Sequence, residues 1–168
     1  MGDGDAGPDT RAHDLALDAQ LCFALQSASR AIVGSYRPGL EAIGLTYSQY
    51  TVMLVLWEHG PVTLGFLSRA LHSDSGTLSP LLKRLELQGL VARRRSRDDE
   101  RVLEVTPTDA ALRLRDPAAA IQRRVAEATG LRPEELSDLR GELESLTARL
   151  RRAEDELALE GTRPVAEQ

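Results

Sequence analysis

The chain has 168 residues, of which 42% are hydrophobic but only 4% aromatic, and its formal net charge is −5. Leu, Ala and Arg dominate, a mix that favours helices over sheets, and no apolar run approaches the roughly 18 to 20 residues of a membrane span. A single cysteine excludes an intramolecular disulfide, and the acidic, Gly-rich start MGDGDAGPDT is the opposite of a secretory leader, so the expected compartment is the cytoplasm.

Residues 1 to 12 and 161 to 168 lack apolar periodicity and read as disordered tails. From Leu17 onward, Leu21, Ala24, Leu25, Ala28 and Ile32 follow helical spacing, and Pro38 marks the expected end of that helix, with GLEAIGL a turn or half helix. Cys22 then falls a couple of turns inside the helix, beyond the reach of its N-terminal dipole. The stretch TYSQYTVMLVLWEHGP is ambiguous between strand and helix by pattern alone. Its length, Thr46 or Ser48 as N-cap and the Gly60-Pro61 stop favour a buried helix.

Thr63 caps LGFLSRALH, with Leu64, Leu67 and Leu71 on one face. HSD makes a tight break, and Ser73 or Asp74 caps SGTLSPLLKRLELQ, lined by Leu78, Leu81, Leu82 and Leu85 and ended by Gly89. Pro80 deletes a backbone hydrogen bond there, yet the leucine spacing runs through it. Two short helices around such a turn form a helix-turn-helix. VARRR and RVLEV alternate as two strands about the polar SRDDE tip. The expectation is a mainly α chain with a winged helix-turn-helix over residues 46–107; a plain helical core with a charged hairpin has the same elements. The small polar start of the second helix (Ser75, Gly76, Thr77, Ser79) favours a groove-facing surface.

After Thr108 the chain reads as helical, bent or interrupted near Pro117. From Pro133 the leucines at 136, 139, 143, 146 and 150 alternate steps of three and four, a narrow seam suited to helix-on-helix packing, either within the chain or across subunits. Residues 13–45 and 108–160 are accordingly expected to form a helical dimerisation region.

Charge is not evenly spread. Between Lys83 and Arg101 lie Lys83, Arg84, Arg93, Arg94, Arg95, Arg97 and Arg101 against Glu86, Asp98, Asp99 and Glu100, a local +3 that leaves −8 for the remainder. A basic segment on an acidic body reads equally as a nucleic-acid footprint or as a solvated hairpin. His13, His59 and His72 are scattered, without ligand spacing to the lone cysteine, so neither a metal nor a cofactor is expected.

LGFLSRALHSDSGTLSPLLKRLELQGLVARRRSRDDERV resembles the DNA-binding segment of MarR-family winged-helix repressors. QLCFALQSASR, followed by SYRPGLEAIGLTYSQYTVMLVLWEH, is similar to the organic hydroperoxide-sensing branch of that family, OhrR. DERV indicates the family only; LCF, SYRP, LTYSQY and DSGTLSPLLKR together are far more discriminating. The similarity runs from about Leu15 to Val105 and more loosely through the C-terminal helices. It implies a cytoplasmic homodimeric repressor with a helical dimerisation domain and two winged lobes, and no enzyme. It also implies that Cys22 is the peroxide-reactive cysteine, and that Tyr36 and Tyr47 hydrogen-bond its sulfur from the other subunit. Gln26 stands where family members often carry a third tyrosine, a departure that bears on the polarity of the pocket.

Alone, Cys22 on an apolar stripe reads as core filler; with the two tyrosines it reads as a trigger, because phenol donors stabilise the reactive thiolate. Leu21, Phe23 and Leu25 favour organic peroxides over hydrogen peroxide. With no second cysteine, oxidation ends in a mixed disulfide with a small cellular thiol, cyclisation onto a backbone nitrogen, or overoxidation. On the DNA side, Ser75 and Thr77 face base edges, Lys83 and Arg84 lie nearer phosphates, and Arg93, Arg94, Arg95 and Arg97 supply backbone contacts. The resemblance makes Arg101 the wing arginine of the minor groove, with Asp99 its salt-bridge partner. The expected partner is thus a pseudo-palindromic, A·T-rich double-stranded operator. The rival readings are a MarR-type sensor of a phenolic ligand with an inert Cys22, and a thiol peroxidase, which needs a reductant that no motif here supplies.

Overall fold

The structure, a computed structural model, describes residues 15–95 and 101–160, without the side chains of 157–160. The expected tails at 1–12 and 161–168 and the wing-tip positions 96–100, including Arg97 and Asp99, lie outside the described residues. A 3-10 turn at Leu17–Ala19 precedes α1 (Leu21–Ala42), α2 (Tyr47–His59), β1 (Val62–Thr63), α3 (Leu64–Ala70), α4 (Ser75–Leu87), β2 (Val91–Arg95), β3 (Leu103–Pro107), α5 (Asp109–Arg113), α6 (Arg115–Ala128) and α7 (Pro133–Glu160). Among the described residues no helix is long and apolar enough to cross a membrane. Two compact units divide the chain between Val125 and Ala126.

In the first unit, side-chain caps begin the helices where the sequence places them. Thr46 and Gln49 close a reciprocal capping box at α2, Thr63 accepts from the Phe66 N–H at α3, and Asp74 accepts from Thr77 at α4. The apolar run of α2 is a helix buried on most sides, including Tyr50, Val52, Met53, Val55 and Leu56. Leu67 of α3 and Leu78, Leu82 and Leu85 of α4 complete the helix-turn-helix core. Between α3 and α4, His72 takes a left-handed φ of 50°, and Gly89, at φ 71°, turns the chain from α4 into β2.

The wing is a three-stranded antiparallel sheet of order β1-β3-β2. β1 was not expected: two residues after the Gly60-Pro61 stop pair with β3, Val62 opposite Val105 and Thr63 opposite Glu104. In the other ladder Arg93 pairs with Val105 and Arg95 with Leu103. The last strand starts at Leu103, two residues later than the pattern RVLEV indicates, and Arg101 sits in the turn before it.

Two expectations about α1 are corrected. Pro38 does not end the helix, which runs to Ala42. A proline ring clashes with the carbonyl four residues earlier, which here belongs to Gly34; both residues are exposed, so that carbonyl can tilt into solvent. The same Gly-x-x-x-Pro spacing, Gly76 to Pro80, accompanies the proline inside α4. The second correction is the start. Gln20 has extended backbone angles and its carbonyl accepts the Phe23 and Ala24 N–H groups, so α1 begins at Leu21 and Cys22 lies in its first turn. The residues before it form only a 3-10 turn, whose i, i+3 spacing mimics a helix in an apolar pattern. Near Pro117 the interruption is as expected: α5 ends at Arg113 and α6 restarts at Arg115, leaving Pro117 in a first turn where no N–H is needed.

Gly39 of α1 lies against α6: a Cβ there would stand 2.8 and 2.9 Å from two carbons of the Ile121 side chain. Gly39→Ala is expected to lower stability by about 1–3 kcal/mol through overpacking. In an Ile121→Ala background it should instead gain up to about 1 kcal/mol from helix propensity. Denaturant unfolding of the four proteins measures the reversal.

In the second unit, the Arg132 N–H and guanidinium bond Glu135 and Glu134 at the start of α7. Leu139, Leu143 and Leu150 of the expected seam are exposed, and Leu136 and Leu146 half-buried.

Candidate functional site

Cys22 is exposed in the first turn of α1, flanked by Leu21 and Phe23, which are 61% and 41% exposed. Tyr36 lies on the same helix fourteen residues on, or roughly 21 Å at 1.5 Å per residue. Cys22 and Tyr36 of one straight helix therefore cannot touch.

Tyr36 and Tyr47, by contrast, are brought together. Their ring centroids are 5.5 Å apart, both side chains are half-buried, and Tyr50, only 3% exposed, stands 5.5 Å from Tyr36 and 6.2 Å from Tyr47. Tyr50 was passed over in the sequence, where its i, i+3 spacing from Tyr47 was the available signal. It braces the pair: burial, then the neighbouring phenols Tyr36 and Tyr47, push its pKa up to about 12. Tyr36 is raised too, by burial first and the nearby Tyr47 second, while the contact from Tyr50 pulls the other way.

A phenol whose folded pKa is raised stabilises the fold fully below its unfolded value of about 10 and loses that contribution as pH climbs through the folded one. In an alkaline titration followed by phenolate absorbance, Tyr50 is expected to ionise near pH 12, and Tyr50→Phe should remove that step.

The second surface belongs to α4 and the wing. Asp74 accepts both the Thr77 N–H and the Thr77 hydroxyl at 2.8 Å. These two bonds, the backbone one first, hold its carboxyl below the usual aspartate range. A Cβ at Gly76 would lie 2.9 Å from the same carboxylate, so the glycine makes room for the cap. Thr77 thus has its proton committed and presents an acceptor oxygen and a methyl group to the exterior, beside an exposed Ser75. The Ser79 hydroxyl is turned inward, donating to the Ser75 carbonyl at 2.6 Å.

Lys83, Arg84, Arg94, Arg95 and Arg101 are exposed. Arg93 differs: its Nε and Nη2 donate to Glu86 Oε2 at 2.9 and 2.6 Å, and the side chain is only 23% exposed. That guanidinium, by its hydrogen bond first, depresses the Glu86 pKa and ties β2 to α4.

The geometry matches known proteins. The model of the MarR family matches residues 45–103. The organic hydroperoxide resistance transcriptional regulator of Bacillus subtilis is 38% identical over 130 residues, which are 77% of this chain and 88% of that protein. AbfR of Staphylococcus epidermidis, solved reduced and bound to DNA, is 36% identical with a TM-score of 0.69, covering 84% of this chain and 98% of that one. The same protein in its disulfide-formed state is 34% identical with a TM-score of 0.58, covering 87% and 97%.

Proposed function

Because this chain belongs to the MarR family of transcriptional regulators, we propose that its DNA binding is switched by organic hydroperoxides through oxidation of Cys22. One observation carries this reading: Cys22 and Tyr36 lie roughly 21 Å apart along α1, and Tyr47 of α2 packs against Tyr36, so the paired phenols of one chain stand away from its own thiol. A second copy of the chain is what closes the gap, as a homodimer in which each thiol meets the other subunit's tyrosines. The exposed Leu21 and Ile32 on α1, and separately Leu139, Leu143 and Leu150 on α7, are the apolar surface such a dimer needs. The states in which AbfR has been solved, reduced and disulfide-formed, support a thiol-based switch.

In the reaction the Cys22 thiolate attacks the terminal peroxide oxygen. The S–O bond forms as the O–O bond breaks, the sulfur loses two electrons, and the alkoxide leaves as an alcohol once protonated, with the Tyr36 or Tyr47 phenols hydrogen-bonding the charged sulfur beforehand. The sulfenic acid then condenses with a small cellular thiol, or with a backbone nitrogen such as that of Phe23, losing water in either case. Either product displaces the phenols, and the two recognition helices α4 lose their match to half-sites about 34 Å apart.

On DNA, Ser75 and Thr77 read base edges, Lys83, Arg84, Arg94 and Arg95 contact phosphates, and Arg101 enters an A·T-rich minor groove. Arg93, held by Glu86, positions the root of the wing. Arg97 adds a further backbone contact, and Asp99 is the salt-bridge partner of Arg101 that the family resemblance implies.

A cavity of about 580 Å³ lined by Tyr50, Leu54, Trp57, Glu58 and Arg115 favours a second reading, a small phenolic ligand as effector with Cys22 inert. Gel shifts with and without cumene hydroperoxide, on wild type and Cys22→Ser, decide between them.

A further inference from the structure

One buried amide joins the tyrosine cluster to the recognition helix. Gln49, in the first turn of α2 between Tyr47 and Tyr50, is 4% exposed and is the one buried polar residue among the described residues. Its Oε1 accepts the Thr46 N–H at 2.9 Å and its Nε2 donates to Gln88 Oε1 at 2.8 Å. Gln88, the C-cap of α4, in turn donates through Nε2 to the Gly44 carbonyl at 3.2 Å. The two ends fix the direction of the chain. The Thr46 N–H can only donate and the Gly44 carbonyl can only accept, so both amides have one orientation that satisfies every bond. A helix turn that carries two of the three tyrosines is thereby fastened to the C-cap of the helix that reads DNA.

We infer that Gln49 and Gln88 are positioning residues that transmit the state of the tyrosine cluster to α4, an inference that rests on Cys22 being the peroxide sensor. If the first turn of α2 shifts when Tyr47 loses its sulfur partner, Gln49 either draws the end of α4 with it or leaves a buried N–H unpaired. The bond makes the two elements move as one. It also explains a glutamine at the third helical position, where capping alone would be served as well by glutamate: a glutamate has no N–H to give Gln88.

The test uses full-length Gln88→Ala and Gln88→Met. Each is compared with wild type on a duplex that reduced wild type selects from a randomised pool. Affinity is measured before and after cumene hydroperoxide, with sulfenate formation at Cys22 followed by a cyclic diketone label. Expected are unchanged labelling, reduced-state affinity within about threefold of wild type, and a peroxide-induced loss of affinity about tenfold smaller than in wild type. The methionine variant keeps the side-chain volume, so agreement between the two excludes a packing effect. Equal peroxide-induced losses in wild type and both variants would overturn the relay alone. Failure of wild type to respond at all would overturn the sensor reading and the relay with it. A reduced-state affinity lost by more than about tenfold in both variants would also count against transmission, since the pair would then merely hold α4 in place.

Discussion

Cys22→Ser is expected to bind operator DNA as tightly as wild type and to keep it under an excess of cumene hydroperoxide. The substitution is nearly isosteric and serine is at ease in the first turn of a helix, so the change in stability should stay within about 0.5 kcal/mol. A hydroxyl does not attack peroxide under these conditions, and without S–O bond formation nothing disturbs the tyrosine pair. Wild type, in contrast, should lose affinity by about 5- to 150-fold on oxidation, the usual range of coupling between two sites. Electrophoretic mobility shifts on one duplex measure both proteins. A serine variant that still releases DNA on peroxide treatment sinks the assignment and points to the cavity beside Tyr50 and Trp57 as the effector site. Equal wild-type rates with cumene hydroperoxide and hydrogen peroxide would separately refute the preference attributed to Leu21, Phe23 and Leu25.

Raising salt from 50 to 200 mM should weaken DNA binding by about 10³-fold or more if six or more phosphates are neutralised per dimer. The chain as a whole is acidic, at −5, so a steep response can only come from local charge. Lys83, Arg84, Arg94, Arg95 and Arg101 are the exposed cations of α4 and the wing among the described residues, and a dimer presents two sets. Fluorescence anisotropy against salt gives the slope, and Lys83→Ala should reduce it by about two, one per subunit, with little change in sequence preference. Arg93→Ala should behave differently. Its charge is already matched by Glu86, so its removal should alter affinity by loosening β2 and leave the slope nearly unchanged. A flat salt response in wild type would overturn the nucleic-acid interface as drawn.

Much of this architecture was legible in the residues. Thr46, Thr63, Asp74 and Thr108 each accept a backbone N–H three residues on, and a cap of that kind is a contact within one turn that a short window of sequence contains. The same holds for the leucines of α3 and α4, whose spacing alone orients one face of each helix inward. Where the window misled, the cause was also local: a 3-10 turn at Leu17–Ala19 has spacing too close to that of an α-helix to be told apart, and Pro38 is a helix breaker only when the carbonyl it displaces has nowhere to go.

What the tertiary structure decided were the distances between residues far apart in the chain. The sequence contains a thiol and three phenols; packing sets Tyr50 against Tyr36, and the straight run of α1 keeps Cys22 and Tyr36 of one chain from meeting. Seven cations between Lys83 and Arg101 look alike as letters, yet the turn at Gly89 from α4 into β2 brings Arg93 back to Glu86 and so commits it. Gln49 and Gln88 are 39 positions apart and bonded. No local periodicity encodes such meetings, because they depend on how whole helices cross.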